Sequence, residues 1–259
     1  MNNLLTQKIS YYFQLLRWNK PSGRLILLIP AGWSLWLTPS APPSLFILGL
    51  IILGGLFVSG VGCIANDIWD RQFDKKVERT KERPLANGKV SIKNAWILLI
   101  SLLFLSLVIV LSIPTDSRSL CLQLALLSLP FILLYPSAKR WFKYPQLFLS
   151  ICWGFSVLIP WAASESSLEG GVTLLFCWLA TIFWTFGFDT VYAMADEIDD
   201  QTIGLNSSAI SLGEKSIRTV SFCYFISSCL IAIAAFKASL ALIYWPFWLI
   251  STLGMQREV

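Results

Sequence analysis

Three carboxylates fall within eight residues in Asn66-Asp67-Ile68-Trp69-Asp70-Arg71-Gln72-Phe73-Asp74. Wound as a helix, Asp67, Asp70 and Asp74 stand at i, i+3 and i+7 on one face, and Asn66, Asp70 and Asp74 form an overlapping stripe at i, i+4 and i+8. Like charges stacked in this way repel by roughly a few tenths of a kcal/mol per pair. A divalent cation offsets that cost. An all-oxygen donor set favours Mg²⁺, which keeps several waters and is shared with substrate phosphates. An isolated D-x-x-x-D serves equally well as a solvated acidic helix end. A second cluster changes the balance: Asp196-Glu197-Ile198-Asp199-Asp200 follows another apolar run and puts Asp196 and Asp200 at i, i+4. Two acidic stripes at matching ends of apolar runs predict two metal-loaded jaws closing on one multiply charged anion, and a diphosphate fits that role best.

Such residues need elements to hold them, and composition says which kind. A soluble domain carries about 25% charged residues; this chain carries 14%, against 56% hydrophobic. That defines an integral membrane protein. Histidine is absent, which excludes His-based zinc sites and His general bases. The six cysteines (63, 121, 152, 177, 223 and 229) lie in apolar runs without a C-x-x-C pair, so they read as small apolar residues. The first twenty residues contain Lys8, Arg17 and Lys20 and no small-residue cleavage site, so no cleaved signal peptide is expected. The net charge of +5 reports topology and not nucleic-acid binding.

A bilayer-spanning helix needs ~20 apolar residues. Residues 25–66 hold no charge and break only at Thr38-Pro39-Ser40-Ala41-Pro42-Pro43, which predicts two spans joined by a Pro-rich turn. Further charge-free windows cover 94–115, 119–138, 144–164, 170–188, 219–236 and 238–256. The sequence therefore predicts an all-α integral membrane protein, a bundle of eight transmembrane helices. With the N-terminus inside, the inner segments hold 18 Lys and Arg and the outer ones only Arg118 and Lys237. Arg24, at the start of the first span, is expected to snorkel out of the apolar layer. Both acidic clusters then fall on the cytoplasmic side. The inner segments 66–93 and 192–216 are the longest, and four crossings separate them. They predict two parallel four-helix pseudo-repeats around a central cavity. Left alone, the basic 66–93 segment would read as a lipid-headgroup anchor; the carboxylates interleaved with it argue against that.

At these residues the chain resembles the UbiA-type intramembrane prenyltransferases, and within them most closely the branch that prenylates 4-hydroxybenzoate. Asn66-Asp67-x-x-Asp70-x-x-x-Asp74 matches the family's first motif. Val77-Glu78-Arg79-Thr80-Lys81-Glu82-Arg83-Pro84-Leu85-Ala86-Asn87-Gly88 is similar to its V-x-R-T-x-x-R-P-L-x-x-G segment. Tyr192-Ala193-Met194-Ala195-Asp196-Glu197-Ile198-Asp199-Asp200 resembles the second motif in the form Y-A-M-x-D-x-x-D-D. Arg17-Trp18-Asn19-Lys20-Pro21-Ser22-Gly23 and Tyr135-Pro136-Ser137-Ala138-Lys139-Arg140 resemble two further segments of that branch, although Asn19 stands where Asp is common. The match runs through essentially the whole chain in the right order. The family usually has nine helices, so residues 1–259 are expected to form a single transmembrane prenyltransferase domain lacking the C-terminal helix.

The resemblance implies transfer of a polyprenyl group from polyprenyl diphosphate to the ring of 4-hydroxybenzoate, ortho to the hydroxyl. Diphosphate would be released, in quinone biosynthesis of the ubiquinone or plastoquinone type. It implies Mg²⁺ held by Asn66, Asp70, Asp74, Asp196 and Asp200, with Asp67 ligating directly or steadying the ligands. Asp70, Asp196 and Asp200 are the expected catalytic residues, and Asp196 the proton acceptor. Arg79, Arg83, Lys139 and Arg140 are expected on the diphosphate, although each alone serves equally as a topology signal. Tyr192 is expected to position the acceptor, and Arg17 or Arg140 to meet its carboxylate. Asp189 reads as a satisfied polar residue near a helix end. Twelve Trp and seventeen Phe readily build an apolar cavity with aromatic faces; none is singled out. Homogentisate, naphthoate, chlorophyllide or haem remain open as acceptors. So does the membrane: plasma or inner membrane, or thylakoid. A cation channel would want ionisable residues at mid-bilayer depth, and the apolar windows are clean. A lipid alcohol phosphotransferase would carry D-G-x-x-A-R, which is absent.

Overall fold

The computed structural model describes residues 2–259. Among them there is no strand. The chain runs through α1 (Asn2–Leu15), α2 (Ser22–Leu25), α3 (Leu28–Leu37), α4 (Leu45–Asp74), α5 (Ile92–Leu111) and α6 (Thr115–Leu134). A 3₁₀ turn (Tyr135–Arg140) leads into α7 (Pro145–Glu165) and α8 (Gly171–Ala195). Two short helices, α9 (Glu197–Ile203) and α10 (Ser208–Leu212), precede α11 (Ser216–Lys237) and α12 (Tyr244–Arg257).

Local chemistry sets the boundaries. Ser44, Ser91 and Ser207 stand just before α4, α5 and α10, and each hydroxyl accepts the otherwise orphaned amide of the residue three further on. Pro145 opens α7, where its missing N–H costs nothing. Gly204 closes α9 with a φ of 74°, a left-handed conformation that favours glycine. A helix continuing straight from α2 would need an amide at residue 30 to bond back to Ile26. Pro30 has none, and the chain restarts as α3.

Six helical segments among the described residues are long and apolar enough to cross a membrane: α4, α5, α6 with its 3₁₀ turn, α7, α8, and the α10–α11 stretch Ser208–Lys237. The first and last of the eight predicted windows hold shorter helices: the broken α2–α3 pair over Ser22–Leu37 and the 14-residue α12. The exposed faces are those of a lipid-facing protein. α5 presents Trp96, Ile97, Ile100, Phe104 and Leu111 outward, and a helix apolar all round belongs in a bilayer or a core. Inside, α8 packs along both α7 and α11. Glycines permit this closeness: a Cβ at Gly187 would come within 2.7 Å of the Tyr224 ring, and one at Gly154 within 2.4 Å of the Trp178 Nε1.

The two ends of the bundle differ. At one end the Ser40 amide donates to Glu165 (3.0 Å), and the Ser117 and Ser166 hydroxyls share a hydrogen bond. At the other, α4 and α8 both terminate, as their like orientation in the sequence reading requires, and the basic segments gather around them. The segment between α4 and α5 has no regular helix, yet it is anchored: Val77, Leu85, Ala86 and Val90 are buried in the bundle, and the Thr80 hydroxyl donates to the Asp74 carbonyl (3.1 Å). The α9–α10 connection is tied to the 3₁₀ turn and to α7 by Asn206 N–H to the Lys139 carbonyl and Ser208 N–H to Gln146 Oε1, both 2.8 Å.

A cavity of about 860 Å³ occupies the bundle interior. Its polar mouth lies at the end where both acidic clusters stand. Its apolar wall includes Ile100, Phe104 and Leu107 of α5 and Leu126 of α6, residues that are themselves exposed on the outer surface. The interior thus reaches the lipid-facing surface at the seam of α5 and α6, two helices that pack sparingly on each other.

Arg24 departs from expectation. It is 3% exposed and does not snorkel. The α2–α3 break turns its side chain inward, where it lines the cavity.

Candidate active site

The last turns of α4 carry the first acidic stripe. Asp67, Asp70 and Asp74 are all buried, with Asp67 wholly so. Every one meets a cation from another segment. Arg17 donates to Asp67 Oδ1 at 2.5 Å, and Arg83 Nη1 reaches the same oxygen at 3.4 Å. Arg83 also donates to both oxygens of Asp74, at 2.9 and 3.0 Å. Arg140 donates to Asp70 (2.9 Å) and to the Trp69 carbonyl (2.9 Å), with Lys139 Nζ 3.8 Å from the other Asp70 oxygen. Burial works against the Arg83 charge, yet Asp67 and Asp74 hold its guanidinium above its usual pKa.

The second cluster begins where α8 ends. Arg79 grips Asp196 with two parallel hydrogen bonds, Nε to Oδ1 at 2.7 Å and Nη2 to Oδ2, the fork geometry that suits guanidinium and carboxylate. The pair joins the segment after α4 to the end of α8. Asp200, one turn further along α9, is 8% exposed, and its carboxylate makes no hydrogen bond or ion pair among the described residues. Burial lifts its carboxyl to about 6, against the pull of Lys139 and with a further push from Asp196.

Asn66, Arg79, Arg83, Lys139, Tyr192, Asp196 and Asp200 line the one cavity mouth, together with Arg17. Asp67, Asp70, Asp74 and Arg140 do not line it; Asp67, Asp70 and Asp74 lie behind it, paired with Arg17, Arg83 and Lys139 of the lining, and Arg140 pairs with Asp70. The basic residues expected on a diphosphate, and Arg17 expected on the acceptor, are here bonded to the aspartates. Among the described residues no three His, Cys, Asp or Glu side chains are grouped closely enough to hold a metal ion. The donor set still suits Mg²⁺, which takes one or two carboxylates and completes its shell with water and substrate phosphate. Asp200 and Asn66 offer free oxygens at the mouth, and Asp67 Oδ2 is buried without a hydrogen-bond partner.

Sequence reasoning singled out no Trp or Phe. The structure places Trp153 and Phe188 on the cavity wall with ring centroids 5.0 Å apart, and Trp184 5.2 Å from Phe188. Tyr192 continues the row edge-on to Phe188 at 6.4 Å. A signal existed: Trp184, Phe188, Tyr192 and Asp196 recur every four residues, an aromatic stripe that runs along α8 into the acid. Asp189 also lines the cavity.

Fold and site together define a multi-pass, all-helical integral membrane protein with a charged mouth on an apolar, aromatic-walled chamber. The chain belongs to the UbiA prenyltransferase family, whose sequence pattern matches residues 27–258. It is 48% identical over 200 residues to a 4-hydroxybenzoate solanesyltransferase of Synechocystis sp., covering 77% of this chain and 66% of that protein. It is 37% identical over 228 residues to a 4-hydroxybenzoate octaprenyltransferase of Thiobacillus denitrificans, covering 88% and 76%. A UbiA homolog from Archaeoglobus fulgidus, solved bound to GPP and Mg²⁺, superposes with a TM-score of 0.75 at 20% identity, over 96% of this chain and 87% of that one.

Proposed function

We propose that this protein transfers a polyprenyl group from polyprenyl diphosphate to 4-hydroxybenzoate, ortho to the ring hydroxyl, and releases diphosphate, in quinone biosynthesis. Residues 1–259 act as one transmembrane prenyltransferase domain. The observation that carries this reading is the joining of two acidic clusters and their basic partners at the mouth of one apolar chamber. The names of the cyanobacterial and Thiobacillus relatives support the acceptor.

Ionisation of the allylic C–O bond is the demanding step. Asn66, Asp70 and Asp74 on one side, and Asp196 and Asp200 on the other, would hold Mg²⁺ ions, which when bound would supply charge that neutralises the departing diphosphate. Arg79, Lys139 and Arg140 exchange their carboxylate partners for phosphate oxygens when the substrate's charge enters, and Arg83 does so on its Asp74 side. Asp67 keeps Arg17 and Arg83 at the mouth throughout. The apolar walls exclude water from the allylic cation, and the faces of Trp153, Phe188 and Tyr192 stabilise it. The ring carbon ortho to the hydroxyl attacks, a C–C bond forms, and the ring proton passes to the Asp196 carboxylate.

Membranes holding the protein, given labelled polyprenyl diphosphate and a panel of aromatic acceptors, should yield prenylated 4-hydroxybenzoate and diphosphate in equal amounts. Transfer to another acceptor only would overturn the assignment. Chelation of divalent cations should abolish the product, and activity that survives full chelation refutes the cation's part. The Mg²⁺ requirement should also depend on pH. Below about 6 the Asp200 carboxyl is protonated and a poor ligand, so apparent Mg²⁺ affinity should fall as pH drops through 6 and recover above it.

The mouth faces the cytoplasm in this reading, supported by the 18-to-2 split of basic residues. A cysteine introduced at Asn87, beside the site segment, should react with impermeant reagents from the inner face, over the background of the native thiols. Reaction from the outer face alone reverses the topology.

A further inference from the structure

We infer that Arg24 binds the carboxylate of the aromatic acceptor and so selects ring acids over uncharged phenols. The inference rests on the prenyl-transfer reading above. Arg17 and Arg140 are the sequence-expected partners for that carboxylate, but Arg17 stays on Asp67, and Arg140, bonded here to Asp70, goes to the diphosphate in the reading above. Among the described residues Arg24 has no acidic partner. Its Nε donates to the Ser59 hydroxyl at 3.3 Å and its Nη2 to the Leu56 carbonyl. The guanidinium stacks over the Trp18 ring, 4.5 Å from its centroid. Its Nη1 is buried with no hydrogen-bond partner. A cation taken out of water without a counter-charge is unfavourable unless something it binds restores the balance. This one lines the cavity in which the acceptor must sit.

The position suits a para-substituted ring. Ser59 and Asn66 are seven residues apart on α4, so they share a face about 10 Å apart along the axis, and both line the cavity. A ring whose carboxylate rests on Arg24 therefore points its hydroxyl end toward the acidic mouth, where the diphosphate is held. The site is also roomy. Gly62 borders the cavity with nothing within 4 Å of where a Cβ would stand, whereas a Cβ on Gly60 would press to 3.3 Å from Arg24 Nη2. Neutral acceptors fix the guanidinium's orientation without discharging it, which leaves its remaining N–H groups for an anionic ligand.

The test uses purified protein in lipid, and varies polyprenyl diphosphate and each of three acceptors in turn with the other substrate saturating: 4-hydroxybenzoate, 4-hydroxybenzamide and methyl 4-hydroxybenzoate. The wild type should show a KM for the acid roughly 10- to 100-fold below that for the amide or ester, the range expected for a charge-assisted hydrogen bond. Arg24→Gln should raise the KM for the acid by that factor, while the KM for the amide and for polyprenyl diphosphate move less than about two-fold. Arg24→Lys should regain part of the preference, since it restores the charge without the fork. A merely structural role would move all three KM values together. An acid preference that persists in Arg24→Gln, or a wild type that uses acid and amide equally, overturns the inference and leaves prenyl transfer standing. Failure of the wild type to prenylate the acid at all overturns the functional reading, and this inference with it. If Arg24→Gln does not fold, the wild-type comparison and Arg24→Lys decide: a lysine variant with undiminished acid preference would overturn the role of the fork.

Discussion

Replacing Asp70 by Asn should lower kcat for prenyl transfer by roughly 100-fold or more, the scale of losing one transition-state-stabilising contact in a water-excluded site. The change removes one negative charge with little change in shape, and it leaves Arg140 and Lys139 without their carboxylate. Because the lost interaction strengthens as the leaving group gains charge, the effect falls on kcat as well as on kcat/KM. Asp196→Asn should be as severe for product formation but different in kind. If Asp196 takes the ring proton, ionisation survives in part while transfer to the ring fails, so diphosphate is released with water as the acceptor. Asp70→Asn should depress ionisation and transfer together. The double mutant should lose much less than the product of the two single losses, since the clusters act on one diphosphate as a unit. Diphosphate released and prenylated product formed, measured side by side, decide the matter. If both fall in step in Asp196→Asn, the residue is not the base. If neither single mutant loses more than a few-fold, the two-jaw reading fails.

Asp67→Leu should destabilise the folded protein by roughly 3 kcal/mol, because removing one partner of a buried pair leaves the other charge uncompensated. Here two guanidiniums lose the same oxygen: Arg17, 26% exposed, and Arg83, 17% exposed. Partial solvation of both holds the cost at the low end of the range for buried pairs. A thermal midpoint about 5–10 °C lower in detergent is the corresponding shift. Asp67→Asn keeps an acceptor oxygen and should fall between. The KM for polyprenyl diphosphate should rise in both, as Arg17 and Arg83 lose their anchor at the mouth. A melting curve for Asp67→Leu within a degree of the wild type would rule out a structural ion triad.

Much of the site was legible because its spacing is chemical. Carboxylates at i, i+4 after a long apolar run have few purposes, and both clusters stand at one end of the bundle as the charge asymmetry requires. The partners of those carboxylates were not legible. Arg79 meets Asp196 from 117 positions away, and nothing local marks that pairing; the basic residues read as substrate contacts when in this structure they neutralise the acids. The eight apolar windows each contain a helix, but hydropathy does not register the missing amide of Pro30 or the shortness of α12. Arg24 was misread for a related reason. Snorkelling is the default for an arginine at a span's edge, and only the turn between α2 and α3 reveals that this one points in. The aromatic row on α8 was visible as a four-residue period, but in a chain with so many Trp and Phe such a period does not stand out against lipid-facing positions.

The seam between α5 and α6 bears on traffic. For the proposed substrate, only the diphosphate and the small ring acid need water. The isoprenoid tail does not, and moving it through water would be prohibitive: ten methylene equivalents cost about 8 kcal/mol at ~0.8 kcal/mol each, or about a million-fold in occupancy. A chamber wall shared with the hydrocarbon layer lets the tail arrive and depart sideways, still solvated by lipid. Departure of the prenylated ring is then a partition between two oily phases. The acyl-chain order of the surrounding membrane becomes a term in turnover, alongside the chemistry at the mouth.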